Sequence, residues 1–170
     1  MNKENNITMN EFAEQIRREQ PHLMRYACYR LGDADNAKDA LQEAYLKVCG
    51  KLSDEKGCEV RNWRNYIFRT LSNICTSWLS QSNRLKMIPL DAHFDMADLP
   101  TESNEADYQR IAQLLVEIPE EQAEVIQLRI YGNNSFADVA EILSLPLPTV
   151  KSRFLYGLEK IRRAMKQTKH

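Results

Sequence analysis

The chain of 170 residues is poor in helix breakers, with 5 glycines and 6 prolines. That scarcity disfavours a β-rich fold and a low-complexity chain alike. Long apolar runs are also missing: none approaches the roughly 18 residues that a membrane-spanning helix needs. The opening stretch, MNKENNITMNEF, is polar and lacks the apolar centre of a secretory signal. The four cysteines, Cys28, Cys49, Cys58 and Cys75, show no CxxC spacing. They are expected as buried, reduced thiols of a cytoplasmic protein rather than as disulfides or zinc ligands. The three histidines, His22, His93 and His170, are scattered, with no nucleophile or metal spacing beside them. No enzyme chemistry, metal or cofactor is therefore expected.

What is present is a chain with 43% hydrophobic residues, enough for one large domain or two small ones. The formal net charge of -1 conceals an uneven distribution. Residues 1–86 carry 14 basic and 11 acidic groups, residues 87–110 carry 1 and 6, and residues 111–170 carry 8 and 7. From Lys151 onward there are seven basic residues against one acid, Glu159.

The periodicity is helical throughout. Thr8 to Glu11 (TMNE) reads as a capping box. Phe12, Ile16, Leu23, Ala27 and Leu31 follow at mostly helical spacing, with Pro21 as a break or new start and Gly32 as a stop. Asp33 or Asp35 opens the next helix, with Ala37, Leu41, Ala44 and Val48 on one face and Asp35, Asp39, Gln42 and Glu43 on the other. KLSDEKGCEVRN reads as a loop. A third helix has a core stripe of Val60, Trp63, Ile67, Leu71, Ile74 and Trp78. Its other face, Asn62, Asn65, Arg69, Asn73, Thr76 and Ser80, is short of the Glu and Lys usual on a solvated helix. Together with Tyr66 it suits either a plain polar surface or hydrogen bonding and stacking with bases. Residues 87–107 have two prolines, six acids and no clean period, and read as a flexible acidic linker.

Beyond the linker, Ile111, Leu114, Leu115 and Ile118 suggest a short helix, and Pro119 with Glu120 and Glu121 starts another, stopped at Gly132. Ser135 caps SFADVAEIL; SLP turns the chain; a last helix starts near Pro148 with a stripe of Val150, Phe154, Leu158, Ile161 and Met165. This is a helix-turn-helix. Its second helix turns outward Thr149, Ser152, Arg153 and Tyr156, with Lys151 beside them, where such helices meet base edges and phosphates. Basic charge is thus concentrated where phosphates must be neutralised, while the rest of the chain stays acidic. The fold expected is all-α: two small helical domains joined by the acidic linker, the C-terminal one holding the helix-turn-helix. The boundaries are 8–86, 87–107 and 108–170.

YRLGDADNAKDALQEAYLKV, the long third helix ending FRTLSNICTSWL, and IPEEQAEVIQLRIYGNNSFADVAEILSLPLPTVKSRF together resemble an extracytoplasmic-function (ECF) sigma factor of bacterial RNA polymerase. The likeness spans roughly residues 10–84 and 108–166, in the family's order, and no middle domain intervenes. It implies promoter-specific transcription initiation by a monomer that binds RNA polymerase core through the β′ clamp helices and the β flap, reads promoter DNA, and is held by an anti-sigma factor. Asp35, Asp39, Gln42 and Glu43 match the core-binding positions. The loop from Ser53 to Arg61 and the polar helix face (Arg61, Asn62, Asn65, Tyr66, Arg69, Asn73) match those that capture and melt the minus-ten element. Thr149, Lys151, Ser152, Arg153 and Tyr156 match the minus-35 reader. The sequence departs from the family where glycine is usual at Ser144 and Pro148, and where arginine is common at Tyr156 and Leu158. A stand-alone helix-turn-helix regulator is the alternative, but it leaves the Asp35–Glu43 face and the Asn-rich helix unexplained and normally needs a dimer.

Overall fold

The computed structural model describes residues 8–53, 60–81 and 105–167. Most of the acidic linker, the centre of the Ser53–Arg61 loop, Cys58, His93 and His170 lie outside them. Among the described residues there are seven helices and no strand.

Helix α1 (Met9–Leu31) starts with the capping box: the Thr8 N–H donates to Glu11 Oε2 at 3.0 Å and the Glu11 N–H to Thr8 Oγ1 at 3.2 Å. The expected interruption at Pro21 does not occur; α1 runs straight through it. A proline inside a helix costs about 3 kcal/mol, and burial of Phe12 before it and of Leu23, Ala27 and Leu31 after it offsets that cost. Gly32 ends the helix in the left-handed region, φ 76°, as its position suggested. Helix α2 (Ala34–Ser53) opens with the Asp35 N–H donating to Asp33 Oδ1 at 3.0 Å. Its Ala37, Leu41, Ala44 and Val48 are buried, as the spacing required, and Ala40 joins them. It continues through Ser53, so Lys51–Ser53 is helix, not loop.

Helix α3 (Trp63–Gln81) begins after Val60, which is buried but not helical. Trp63, Ile67, Leu71 and Ile74 form the expected stripe, and Trp78 packs half-buried at its end. A second buried row, Phe68, Ser72, Cys75 and Leu79, follows at helical spacing. It is covered by α1, where the Tyr26 ring stands edge-on to Phe68 with centroids 6.3 Å apart, and by the C-terminal block, where Ser72 meets Glu124.

That block comprises α4 (Glu105–Leu115), α5 (Glu120–Ile130), α6 (Phe136–Leu143) and α7 (Leu147–Gln167). Helix α5 is central: Val125, Ile126 and Leu128 are all fully buried because α7 covers one side and the N-terminal block another. Helix α7 crosses close to it at Gly157, where a Cβ would stand 2.5 Å from Ile126 Cδ1. Gly157 therefore takes the tightest position, and Leu158, expected in the core stripe with Val150 and Ile161, is only half-buried.

The two blocks meet in an extended seam. The rings of Tyr29 (α1) and Tyr131 stack with centroids 4.2 Å apart and planes within 9°. The Tyr131 hydroxyl donates to the Tyr108 carbonyl at 2.8 Å. Arg30 Nη2 donates to Thr76 Oγ1 at 3.2 Å and lies 3.6 Å from the Glu120 carboxylate. Helix α5 ends just before Gly132, as expected, but it is Asn133 that carries the positive φ, 55°. Gly132 is needed for space instead: a Cβ there would sit 2.7 Å from the Leu128 carbonyl and 3.0 Å from Phe68 of α3.

Candidate nucleic-acid interface

Helices α6 and α7 form the helix-turn-helix. Ser135 caps α6 by accepting from the Asp138 N–H at 3.0 Å. The turn passes through Ser144 in the left-handed region, φ 55°, ψ 47°, which accounts for the glycine usual there in the sequences this chain resembles. Pro148 lies in the first turn of α7, where its missing N–H costs nothing. At that end of α7, Lys151, Ser152 and Tyr156 are exposed and Thr149 and Arg153 half-exposed. The helix packs on α4, α5 and α6, so this outward side stays open to solvent. All five residues expected to read DNA reach solvent at this end of α7, and Arg153 also lies within electrostatic reach of Glu124 on α5.

On α2, Asp35, Asp39 and Gln42 are exposed and Glu43 is half-buried. Glu43 pairs with Lys47 at 3.4 Å. These four acids and amides share the solvent side of the helix, as their spacing required.

The expected minus-ten residues divide between two clefts. One, of about 350 Å³, is lined by Lys51, Arg61, Asn62, Asn65, Tyr66 and Arg69. The other, of about 280 Å³, is lined by Tyr66, Thr70, Asn73 and Trp78, with Glu43 and Lys47 of α2. Tyr66 stands between them, its ring edge-on to Trp63 with centroids 5.8 Å apart. Arg61, Asn62, Arg69 and Asn73 are exposed. Two placements differ from expectation. The Asn62 side chain caps α3, its Oδ1 accepting from the Asn65 N–H at 3.0 Å. Asn65 is not outward-facing but 2% exposed. Its Nδ2 donates to Asp138 Oδ1 at 3.1 Å and to Glu141 Oε2 at 2.8 Å, both on α6. The polar face of α3 is thus partly covered by the first helix of the helix-turn-helix, and Glu141 lines the same cleft as Arg61 and Arg69.

Arg64 was not singled out in the sequence, yet it is the hub of this contact. Its Nε lies 3.1 Å from Glu19 of α1. Its Nη1 donates to Asn134 Oδ1 and lies 3.8 Å from Asp138, and its Nη2 reaches the Asn133 carbonyl at 3.4 Å. Asn134, fully buried, also donates to the Leu128 carbonyl at 2.9 Å. No local pattern marks Arg64, Asn134, Asp138 or Glu141, because each has its partner about 70 residues away in sequence. Further along the seam, Ser72 donates to Glu124 at 3.5 Å. Burial raises the Glu124 carboxyl above its usual range, against the pull of Arg30. Burial likewise pushes the Cys75 thiol up to about 12, Arg30 again opposing. Among the described residues there is no metal-binding cluster of His, Cys, Asp or Glu, and no helix long and apolar enough to cross a membrane.

An all-helical chain that ends in a helix-turn-helix with an open, basic-sided reading helix, and carries a second hydrogen-bonding face on α3, is built as a DNA-reading transcription factor. Two family models match it in order: Sigma-70 region 2 over residues 15–85 and Sigma-70, region 4 over residues 114–163. The chain belongs to the sigma-70 family, in its extracytoplasmic-function group. It is 26% identical over 155 residues to the RNA polymerase sigma-E factor of Streptomyces avermitilis, covering 89% of this chain and 83% of that one. It is 27% identical to the RNA polymerase sigma-H factor of Pseudomonas aeruginosa, covering 78% and 75%. Among solved structures it superposes on the sigma factor RpoE from Bartonella quintana, in complex with the anti-sigma factor NepR, with a TM-score of 0.71 at 22% identity, covering 93% of this chain and 98% of that one. CnrH, in complex with the cytosolic domain of CnrY, gives 0.66 at 18% identity, covering 94% and 90%.

Proposed function

We propose that this chain binds the core of RNA polymerase in the cytoplasm and directs it to promoters, reading the minus-35 element with α7 and melting the minus-ten element with α3. It is a non-enzymatic factor, monomeric when free. Residues 8–86 form the unit that binds core and the minus-ten element, residues 108–170 the unit that binds the minus-35 element, and residues 87–107 the acidic connection between them. The observation that carries the reading is the order of the two sigma-70 regions in one chain, the second presenting Lys151, Ser152 and Tyr156 on an open α7 surface. Asp35, Asp39, Gln42 and Glu43 supply an anionic face for core. Tyr66, Arg69 and Asn73 supply stacking, charge and hydrogen bonding for a melted strand, and an aromatic stack on a base is worth about 1–3 kcal/mol. An anti-sigma factor is a further partner, consistent with the superposed RpoE from Bartonella quintana, solved with the anti-sigma factor NepR.

The test is reconstitution. Added to sigma-free core polymerase, the protein directs new promoter-specific transcripts. Arg153→Ala lowers activity on the cognate minus-35 element about 5- to 150-fold if a bidentate guanine contact of about 1–3 kcal/mol is lost, and matters less on a scrambled element. Lys151→Ala weakens both templates alike and makes the salt slope shallower by roughly one. A chain that leaves core polymerase without new transcripts is not a sigma factor.

A further inference from the structure

We propose that Leu155, on the second turn of α7, is a base-reading residue that recognises the C5 methyl group of a thymine, so that the minus-35 element of this chain carries one thymine fixed by apolar contact rather than by a hydrogen bond. This rests on the reading of α7 as the minus-35 reader. Val150, Gly157 and Ile161 mark the buried side of α7. Away from them, Ser152, Leu155 and Tyr156 stand at i, i+3 and i+4 and share one outward strip. Leu155 is 64% exposed and Tyr156 62%, although α4, α5 and α6 all pack on the same helix. At about 100° per residue, exposed Lys151 and Arg162 fall on one flank of the strip and exposed Lys160 on the other. Charge therefore lies along the edges, where the two phosphate backbones bound a groove, and the uncharged middle lies where base edges are. The strip closes at Glu159, whose carboxylate is held by Arg163 at 2.9 Å and would repel phosphate. Within the strip the side chains differ in what they can read. Ser152 and Tyr156 carry hydroxyls that give or take hydrogen bonds at any base edge. Leu155 has neither donor nor acceptor. Set against a polar group of the groove, it would strip water from that group and return nothing. The one apolar group that base pairs present in the major groove is the thymine methyl. A leucine laid against it takes apolar surface of both out of water. Leu155 stands about 6 Å along the helix from Lys151, so this thymine lies within about two base pairs of the contact Lys151 makes.

The experiment uses holoenzyme reconstituted from core polymerase and the full chain, with its promoter taken by selection from a duplex pool randomised over both elements. Each thymine of the recovered minus-35 segment is then replaced, one at a time, by deoxyuridine, which removes the C5 methyl and leaves every hydrogen-bonding group in place. Wild-type holoenzyme is expected to bind one such duplex about three- to fivefold more weakly than its thymine parent, the loss of one apolar methyl contact. Holoenzyme carrying Leu155→Ala is expected to bind that duplex and its parent equally, while every other thymine gives the same ratio with both proteins. The side chain is exposed, so the variant is expected to keep the wild-type Tm. A recovered segment without thymine, or a methyl scan that Leu155→Ala leaves unchanged, overturns the assignment of Leu155. Recovery of no preferred minus-35 sequence, with Lys151→Ala binding as wild type, overturns the reading of α7 beneath it.

Discussion

Ser144 and Gly132 divide two roles that glycine alone usually fills. Ser144 holds a left-handed conformation, φ 55°, that costs a residue with a Cβ about 1 kcal/mol. Gly132 holds no such conformation but has no room for a Cβ, with the Leu128 carbonyl and Asn134 Nδ2 at 2.7 and 2.6 Å from where it would be. Opposite outcomes follow. Ser144→Gly is expected to stabilise the protein by up to about 1 kcal/mol, raising Tm by roughly 2–4 °C, since it relieves the turn and the Ser144 side chain is exposed. Gly132→Ala is expected to lower stability by about 1–3 kcal/mol through overpacking. Thermal unfolding followed by circular dichroism checks both, and a stabilised Gly132→Ala would contradict the packing described at the seam.

Helix α2 presents the simplest case of an element with one face for the core and one for a partner. Asp39 is exposed, and Glu43, half-buried, reaches solvent beside it. Asp39→Lys with Glu43→Lys is therefore expected to leave the fold intact while weakening co-purification with core polymerase, since like charges across an interface cost several kcal/mol. Unchanged co-purification would remove this face from the core-binding surface. The helix pattern of α2 was legible because its burial is one-sided: every fourth or third residue is Ala, Leu or Val, while Asp35, Asp39 and Gln42 on the other side are exposed. The cap at Thr8, the stop at Gly32 and the cap at Ser135 were legible for the same local reason, each being a bond within a few residues. Helix α3 was legible only by half. Its Trp63–Ile67–Leu71–Ile74 stripe stands out by period, but the second row of Phe68, Ser72 and Leu79 is buried by partners distant in sequence, Tyr26 of α1 against Phe68 and Glu124 of α5 against Ser72 among them. Asn65 looked outward for the same reason: a single-sequence pattern does not register a carboxylate pair 73 and 76 residues away. Continuity of α1 through Pro21 was hidden too, since it depends on the packing at either end rather than on the proline itself.

At the scale of the whole molecule the seam couples protonation to docking. Glu124 lies in it with its carboxyl raised by burial, so the closed form disfavours the charge. The sign follows: a raised acid lowers stability above its folded pKa, and the penalty disappears as pH falls through the ordinary carboxylate range. Glu124→Gln is thus expected to raise Tm at pH 7, with the gain shrinking as the pH is lowered towards 4, because the wild-type carboxyl is then neutral as well. A Tm difference independent of pH would show that the effect is not the charge. The stacked tyrosines carry a different consequence. Tyr29 and Phe68 belong to the first block but face the second, Tyr29 against the Tyr131 ring and Phe68 against Gly132. Cut off after Gln81, the first three helices would keep their own core and lose the cover over these rings. Such a fragment is expected to run on a sizing column as a concentration-dependent oligomer, the bare aromatic patch finding a copy of itself in place of its missing neighbour.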